Sequence, residues 1–394
     1  MRRIAAAFWL LCALSFLHAQ DAQNVLDAFQ RNFTIGSLDV KIQIIQDAAT
    51  SKEAASLGPL YLQAVDFVIS NATMLPSDPR FRQLASLASD AASKSPYTPA
   101  RFSMWKLFQV DSDTTMRTSI MTALGTLAAG DKEIIDGINR FLDAQNSVMA
   151  AGKQSDPRVI AAVVTTLGKL GDPSSFPFLF TAMNMGYSAE VSQKAGESLL
   201  SLKGDLKNMF IDVIKAAPPA EKGRALVMAL QVNQLSQDQK GQVAEYAMDV
   251  ALHTGATDTD GKTALRQMRM NAAAALAQSA RTSATQLLIE NLDMTILEFD
   301  RGLTDKRFLI EAVSALGAMG NHEAAVRLTQ YLVLLNSYTE RGKGYDEQVV
   351  LGVVGALKTL ADKVSFDDLM YTQYLNYSAP IKKLARDALE SLKW

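Results

Sequence analysis

Cysteine is nearly absent from this chain, with one in 394 residues. That excludes a disulfide-held scaffold and any metal site built on thiolates. Three histidines leave little imidazole for catalysis or zinc binding. Positive charge is not in excess: 39 Lys and Arg face 41 Asp and Glu, a net charge of −2. No basic field is therefore available to hold a nucleic-acid backbone. Runs of alternating apolar and polar residues bounded by hairpin turns are also missing, which argues against a sheet. What remains is 48% apolar and 20% charged, with a mean hydropathy of +0.03. That composition excludes a disordered polymer and supplies a large core.

The first residues read as an export signal. Arg2 and Arg3 form a positive head, Ile4 to Leu17 carries no charge, and Ala19 is followed by polar Gln20 and Asp21. A small residue at Ala19 suits a signal peptidase, and the apolar stretch is shorter than the roughly 20 residues of a lasting membrane anchor. The expectation is a signal peptide over 1–19 and a single folded domain over 20–394. Acylation at Cys12 fits less well, because Leu11 stands where a small residue is wanted. Loss of the leader takes the net charge to −4 and leaves His253 and His322 with no cysteine. An exported chain of this size without cysteine resembles a bacterial periplasmic protein more than a secreted eukaryotic one. No later apolar run is long enough to span a bilayer.

The body repeats itself. Ser77-Asp78-Pro79-Arg80 recurs as Ser155-Asp156-Pro157-Arg158. In both, Asp can cap a helix and Pro can take the first helical position, where its missing N–H costs nothing. Leu124, Leu167, Leu199, Leu230, Leu276, Leu316, Leu357 and Leu389 recur at drifting intervals of about 31–46 residues, in the range of helical repeats. Three positions on lie Leu127, Leu170, Leu202, Met319, Leu360 and Leu392, on the same helical face. Ala161-Ala162, Ala272 to Ala275 and Ala312 to Ala318, with Gly317, allow neighbouring helices to approach closely.

Residues 155–205 carry these signals most densely: Val159, Ile160, Val163, Val164, Leu167-Gly168 and Leu170-Gly171-Asp172-Pro173, followed by Phe176-Pro177-Phe178-Leu179. This resembles a HEAT repeat of the short bacterial type. The resemblance implies an all-α fold, a right-handed α-α superhelix of about nine helix pairs plus a terminal half repeat. By this register, first helices fall near 38–50, 78–93, 113–128, 157–170, 189–203, 220–233, 264–280, 306–319 and 346–361. Their partners fall near 58–71, 98–109, 132–149, 174–185, 205–216, 238–253, 283–299, 322–336 and 365–377. Residues 380–394 form a last helix suited to a polar terminal cap, and Asp21 to Thr34 forms an opening cap.

Chemistry-bearing motifs fail on spacing. Gly255 to Thr263 has one residue too many for a phosphate loop and follows a helix rather than a strand. Aligned as a calcium loop on Gly261, it offers Ala256 and Gln267 where ligands belong. His322-Glu323 opens a zinc-protease pattern, but Val326 replaces the second histidine. His253 is expected at a helix C-terminus with no acidic neighbour. Asp367-Asp368 reads as a helix N-terminal charge pair. No catalytic, cofactor or metal residue is expected.

Two features suit protein binding. Tyr371, Tyr374 and Tyr377 follow i, i+3, i+6, which is either core packing or an aromatic platform. Asn336 to Tyr345, carrying Tyr338, Arg341 and Tyr345, reads as a loop longer than a helix connection needs. The sequence thus predicts an exported, non-enzymatic scaffold or adaptor that binds a protein partner, with envelope or flagellar assembly as a conceivable setting and no nucleic acid or cofactor involved. The alternative is an enzyme of the lyase type acting on a small apolar ligand, since some HEAT-like proteins resemble chromophore lyases.

Overall fold

The computed structural model describes residues 23–95 and 97–393; the expected leader, with Cys12, lies outside them. The fold is all-α. Among the described residues no strand forms, and one isolated bridge joins Asp362 to Lys393. Packing resolves the chain into two compact units, the first ending at Gly204 and the second beginning at Asp205.

The first unit holds α1 (residues 23–35), α2 (Leu38–Thr50), α3 (Gly58–Ser70), α4 (Pro79–Lys94), α5 (Ala100–Val110), α6 (Thr114–Leu127), α7 (Lys132–Ala150), α8 (Pro157–Leu170), α9 (Phe176–Asn184) and α10 (Ala189–Ser201). The second holds α11 (Leu206–Ala216), α12 (Pro219–Gln231), α13 (Gln237–His253), α14 (Thr259–Ser279), α15 (Thr285–Asp300), α16 (Lys306–Gly317), α17 (His322–Glu340), α18 (Glu347–Leu360), α19 (Phe366–Thr372) and α20 (Ala379–Glu390). Within each unit the substantial helix contacts join an element to the next one or the next but one. In each unit, even-numbered helices therefore form one layer and odd-numbered helices another. That nearest-neighbour pattern is how stacked helical repeats bury a core that no single pair could bury alone.

Asp residues start many of these helices. Asp78 and Asp156 accept from the amides of Arg80 and Arg158 at 3.0 and 2.9 Å, with Pro79 and Pro157 at the first helical position. Asp305 makes the same cap to Arg307 at 2.8 Å without a proline. The Arg80 and Arg307 side chains fold back onto Asp78 and Asp305 at 2.7 Å. Helix ends receive cations in return. Lys222 is buried in α12 and its Nζ donates to the carbonyls of Ile214 and Lys215 at the end of α11, at 2.6 and 2.7 Å. Lys41 in α2 donates to Phe33 and Thr34 in the same way, and Arg117 Nε in α6 donates to the Phe108 carbonyl at 3.2 Å. Such donors satisfy carbonyls that the last turn leaves without partners.

The leucine register holds for six of eight positions: Leu124, Leu167, Leu199, Leu276, Leu316 and Leu357 are fully buried. Leu230 and Leu389 are half-buried. In α12 the core stripe instead runs through Ala225, Leu226 and Ala229, and in α20 through Ile381, Ala385 and Ala388. Small residues set the layer spacing where expected. A Cβ at Gly317 would lie 2.6 Å from Ala356 Cβ, and one at Gly168 would lie 2.5 Å from both Cβ and Oγ of Ser198. These contacts bring α16 against α18 and α8 against α10.

Two expected loops are shorter than the sequence suggests. α14 begins at Thr259, because the Asp258 carboxylate accepts from the Gly261 amide at 2.6 Å and caps the helix. The acidic stretch is a capped helix start, and only its first residues are loop. α17 continues through Glu340, because Asn336 and Thr339 are buried on its core face. The connection to α18 shrinks to residues 341–346. Gly342 turns the chain there at φ +70°, with Lys343 N donating to the Tyr338 carbonyl at 2.9 Å, a common helix ending.

Candidate functional site

The six residues expected to bind a partner lie in the second unit, around the ends of α17 and α19, and the structure divides them. Tyr377 is buried, and its ring meets Tyr345 edge to face with centroids 4.8 Å apart. The Tyr345 hydroxyl accepts from the Ser378 amide at 3.0 Å, just ahead of α20. This pair fastens the 341–346 turn to the start of α20, so both rings serve the fold. Asp346 caps α18 from the same turn, accepting from the Gln348 amide at 2.9 Å.

The other four face outward. Tyr374 is 78% exposed and Tyr371 is 39% exposed. Tyr371 lies in the last turn of α19 with its hydroxyl hydrogen-bonded to Glu340, a contact that raises its pKa. Tyr338 is half-buried beneath the Lys343 ammonium, which sits 4.7 Å from the ring centroid in a cation–π contact. Arg341 is exposed. The i, i+3, i+6 stripe does not form, because α19 stops at Thr372 and a turn intervenes. That turn rotates Tyr377 into the core and leaves Tyr374 outside.

The frame holding these side chains is hydrogen-bonded through Asn336. Asn336 is buried in α17; its amide donates to the Asp368 carbonyl at 3.2 Å, while its Oδ1 accepts from Thr372 Oγ1 at 3.2 Å. Asn336 thereby couples the end of α17 to both turns of short α19. Asp367 and Asp368 lie in the first turn of α19, as the sequence predicts. Burial, with Asp367 alongside, raises the pKa of Asp368.

Elsewhere on the odd-helix layer an open cleft of about 450 Å³ lies between α15 and α17. Ile296, Leu297, Tyr331 and Leu334 line it, and the Arg327–Asp293 ion pair, with Nε to Oδ1 at 2.7 Å, closes one edge. In the first unit a cleft of about 310 Å³ crosses α6, α8 and α10, lined by four threonines with Arg158, Lys169 and Lys194. Lys194 is paired with Glu190 at 2.8 Å, Lys169 donates to Thr126 Oγ1 at 2.7 Å and Arg158 Nε lies 3.6 Å from Asp156, so all three cations are already engaged.

The histidines sit at helix ends. His322 begins α17, exposed, with Nδ1 2.8 Å from Asp362. His253 ends α13, as expected, but it does have acidic neighbours: Asp249 at 3.1 Å and Glu290 at 3.2 Å. Glu290 comes from α15 across the helix pair, a juxtaposition that spacing along the chain cannot reveal. The Asp249 backbone carbonyl and then Glu290 raise the His253 pKa above 6.5. Among the described residues no cluster of three or more His, Cys, Asp or Glu could hold a metal ion. Among them too, no helix is long and apolar enough to cross a membrane.

Comparison with known proteins adds little to this geometry. No protein-family model matches the sequence, and no curated protein matches it. A solved structure described as "A conserved phosphorylation switch controls the interaction between cadherin and beta-catenin in vitro and in vivo" is similar at 15% identity, over 97% of this chain and 78% of that one, with a TM-score of 0.32. A likeness that distant carries no argument.

Proposed function

We propose that this chain is a HEAT-like helical-repeat scaffold that binds a protein partner, and that the outward residues at the ends of α17 and α19 are its docking edge. The observation that carries the reading is Tyr374, a large aromatic side chain 78% exposed beside Tyr371, on a turn anchored by the Asn336 network. An exposed aromatic on a fixed frame loses little conformational freedom on binding, and tyrosine supplies contact area with a polar tip. Arg341 and Lys343 add exposed cationic groups on the turn after α17, Lys343 lying over the Tyr338 ring. The leader at Arg2 to Ala19 supports export, and the missing cysteines suit a periplasmic setting in which the scaffold serves envelope or flagellar assembly.

The test pairs an outward tyrosine with an inward one. Tyr371→Ala/Tyr374→Ala should weaken capture of the partner from the source organism by about 30-fold or more, as loss of an interface anchor does, with an unchanged melting temperature. Tyr377→Ala should lower the melting temperature, because it empties a buried site. Full capture by the double variant would overturn the assignment of this edge.

A further inference from the structure

The helical repeats hide a longer one. Residues 131–203 align without a gap on residues 321–393, and about one position in three is identical. The identities fall in runs: Asn146-Ser147 with Asn336-Ser337, Gly152-Lys153 with Gly342-Lys343, Val163-Val164 with Val353-Val354, Tyr187-Ser188-Ala189 with Tyr377-Ser378-Ala379, and Ser201-Leu202-Lys203 with Ser391-Leu392-Lys393. Beyond a shorter connecting turn, the match resumes upstream, where Asp113 and Ala123-Leu124-Gly125 answer Asp305 and Ala315-Leu316-Gly317.

The structure repeats at the same positions. Asn146 donates to the Phe178 carbonyl at 3.2 Å, and Asn336 donates to that of Asp368 at 3.2 Å. The Lys203 amide donates to Gly171 at 3.0 Å, and the Lys393 amide donates to Ala361 at 3.0 Å. Ser201 Oγ reaches the Gly168 carbonyl, and Ser391 Oγ reaches that of Lys358, at 3.1 and 3.3 Å. Gly171 and Ala361 both have positive φ, +69° and +52°. Alanine bears the cost of that conformation in the second case, which is a sign that the turn itself is retained. At the other end, Lys41 and Lys222 are each the fourth residue of their helix, each is buried, and each donates to the carbonyls seven and eight residues before it. A generic pattern of helical repeats does not require a buried lysine at one helix pair in each half. The boundary between the two compact units, after Gly204, follows directly on the Ser201-Leu202-Lys203 copy of the sequence that closes α20.

We infer that the chain is a tandem duplication of a ten-helix unit, α1 to α10 followed by α11 to α20, and that each copy folds as its own cooperative unit. The inference does not depend on the proposed docking edge, but it bears on it. Tyr338, Tyr345, Tyr371 and Tyr374 stand where the first copy has Val148, Ser155, Thr181 and Asn184. Only Tyr377, which is buried, has a tyrosine counterpart, Tyr187. Apart from Tyr345, which fastens the turn before α18, the differing tyrosines are the outward Tyr338, Tyr371 and Tyr374, so the docking edge belongs to the second copy alone.

Unfolding of the full chain tests this. Trp105 in α5, stacked on Phe108 with centroids 5.3 Å apart, reports on the first copy when Trp9 and Trp394 are replaced by phenylalanine. Circular dichroism reports on both copies. In that background Leu167→Ala should lower the Trp105 midpoint by about 1–2 M urea. The counterpart, Leu357→Ala, should shift about half of the dichroism amplitude by a similar amount and leave the Trp105 midpoint where it was. Val163→Ala and Val353→Ala, both fully buried, give milder versions if either leucine variant fails to fold. A Trp105 midpoint that moves equally with Leu167→Ala and Leu357→Ala, or with both valine variants, would overturn the inference.

Discussion

Gly168 tests how closely the even-numbered helices approach one another. It lies inside α8, where alanine would ordinarily favour the helix by about 1 kcal/mol. A Cβ there would fall 2.5 Å from Ser198 Cβ and Oγ and 2.8 Å from its Cα. The last of these is backbone, so no rotamer change relieves the clash and α10 must move. Overpacking of this kind costs about 1–3 kcal/mol. Gly352 provides the control: it is internal to α18, the counterpart of α8, and nothing lies within 4 Å of its added Cβ. Propensity acts alike in both helices and cancels between them. Gly352→Ala should therefore stabilise by up to about 1 kcal/mol, while Gly168→Ala should fall below it by about 1–3 kcal/mol. Urea titration followed at 222 nm reads the difference directly. Equal stabilisation by both substitutions would show that α8 and α10 are not in contact at Gly168.

Two further outcomes concern ionisation. Burial raises the pKa of Glu311 in α16 above 4.5, so its charged form weighs against the folded state at neutral pH. Glu311→Gln should stabilise the protein there, and the gain should shrink as pH falls through the raised pKa and vanish below 4.5, where the carboxyl is protonated in both states; a gain unchanged by pH would contradict this. His253 is shifted the other way in effect, since its protonated form is favoured on folding. Its contribution to stability should be complete below pH 6.5 and disappear as pH rises through its folded pKa, and nuclear magnetic resonance should show that pKa fall in Glu290→Gln.

Much of the architecture was legible because helix boundaries depend on local chemistry. Asp-Pro caps, the buried leucines and the alanine-rich faces act within a turn or two, so the ends of α8 match the sequence register to the residue. The reading fails where distant residues decide. α17 outlasts its expected end because Asn336 finds a partner on α19, and the Tyr371 to Tyr377 stripe breaks because Tyr345 draws Tyr377 inward. His253 gains its acidic partner from α15 by the same means. The duplication was present in the sequence throughout. A search for periods of 31–46 residues passes over it, because the short repeat is the stronger signal and its drift blurs the long one.

Placement of a photoreactive amino acid tests the central claim, that the chain binds a partner through the outward tyrosines of its second unit. A crosslinker at position 374 should give one discrete protein adduct in the source organism, reduced when Tyr371 is also replaced by alanine. The same group at position 184, where the first unit has Asn184, should give none. Equal labelling from both positions, or none from position 374, would contradict the account.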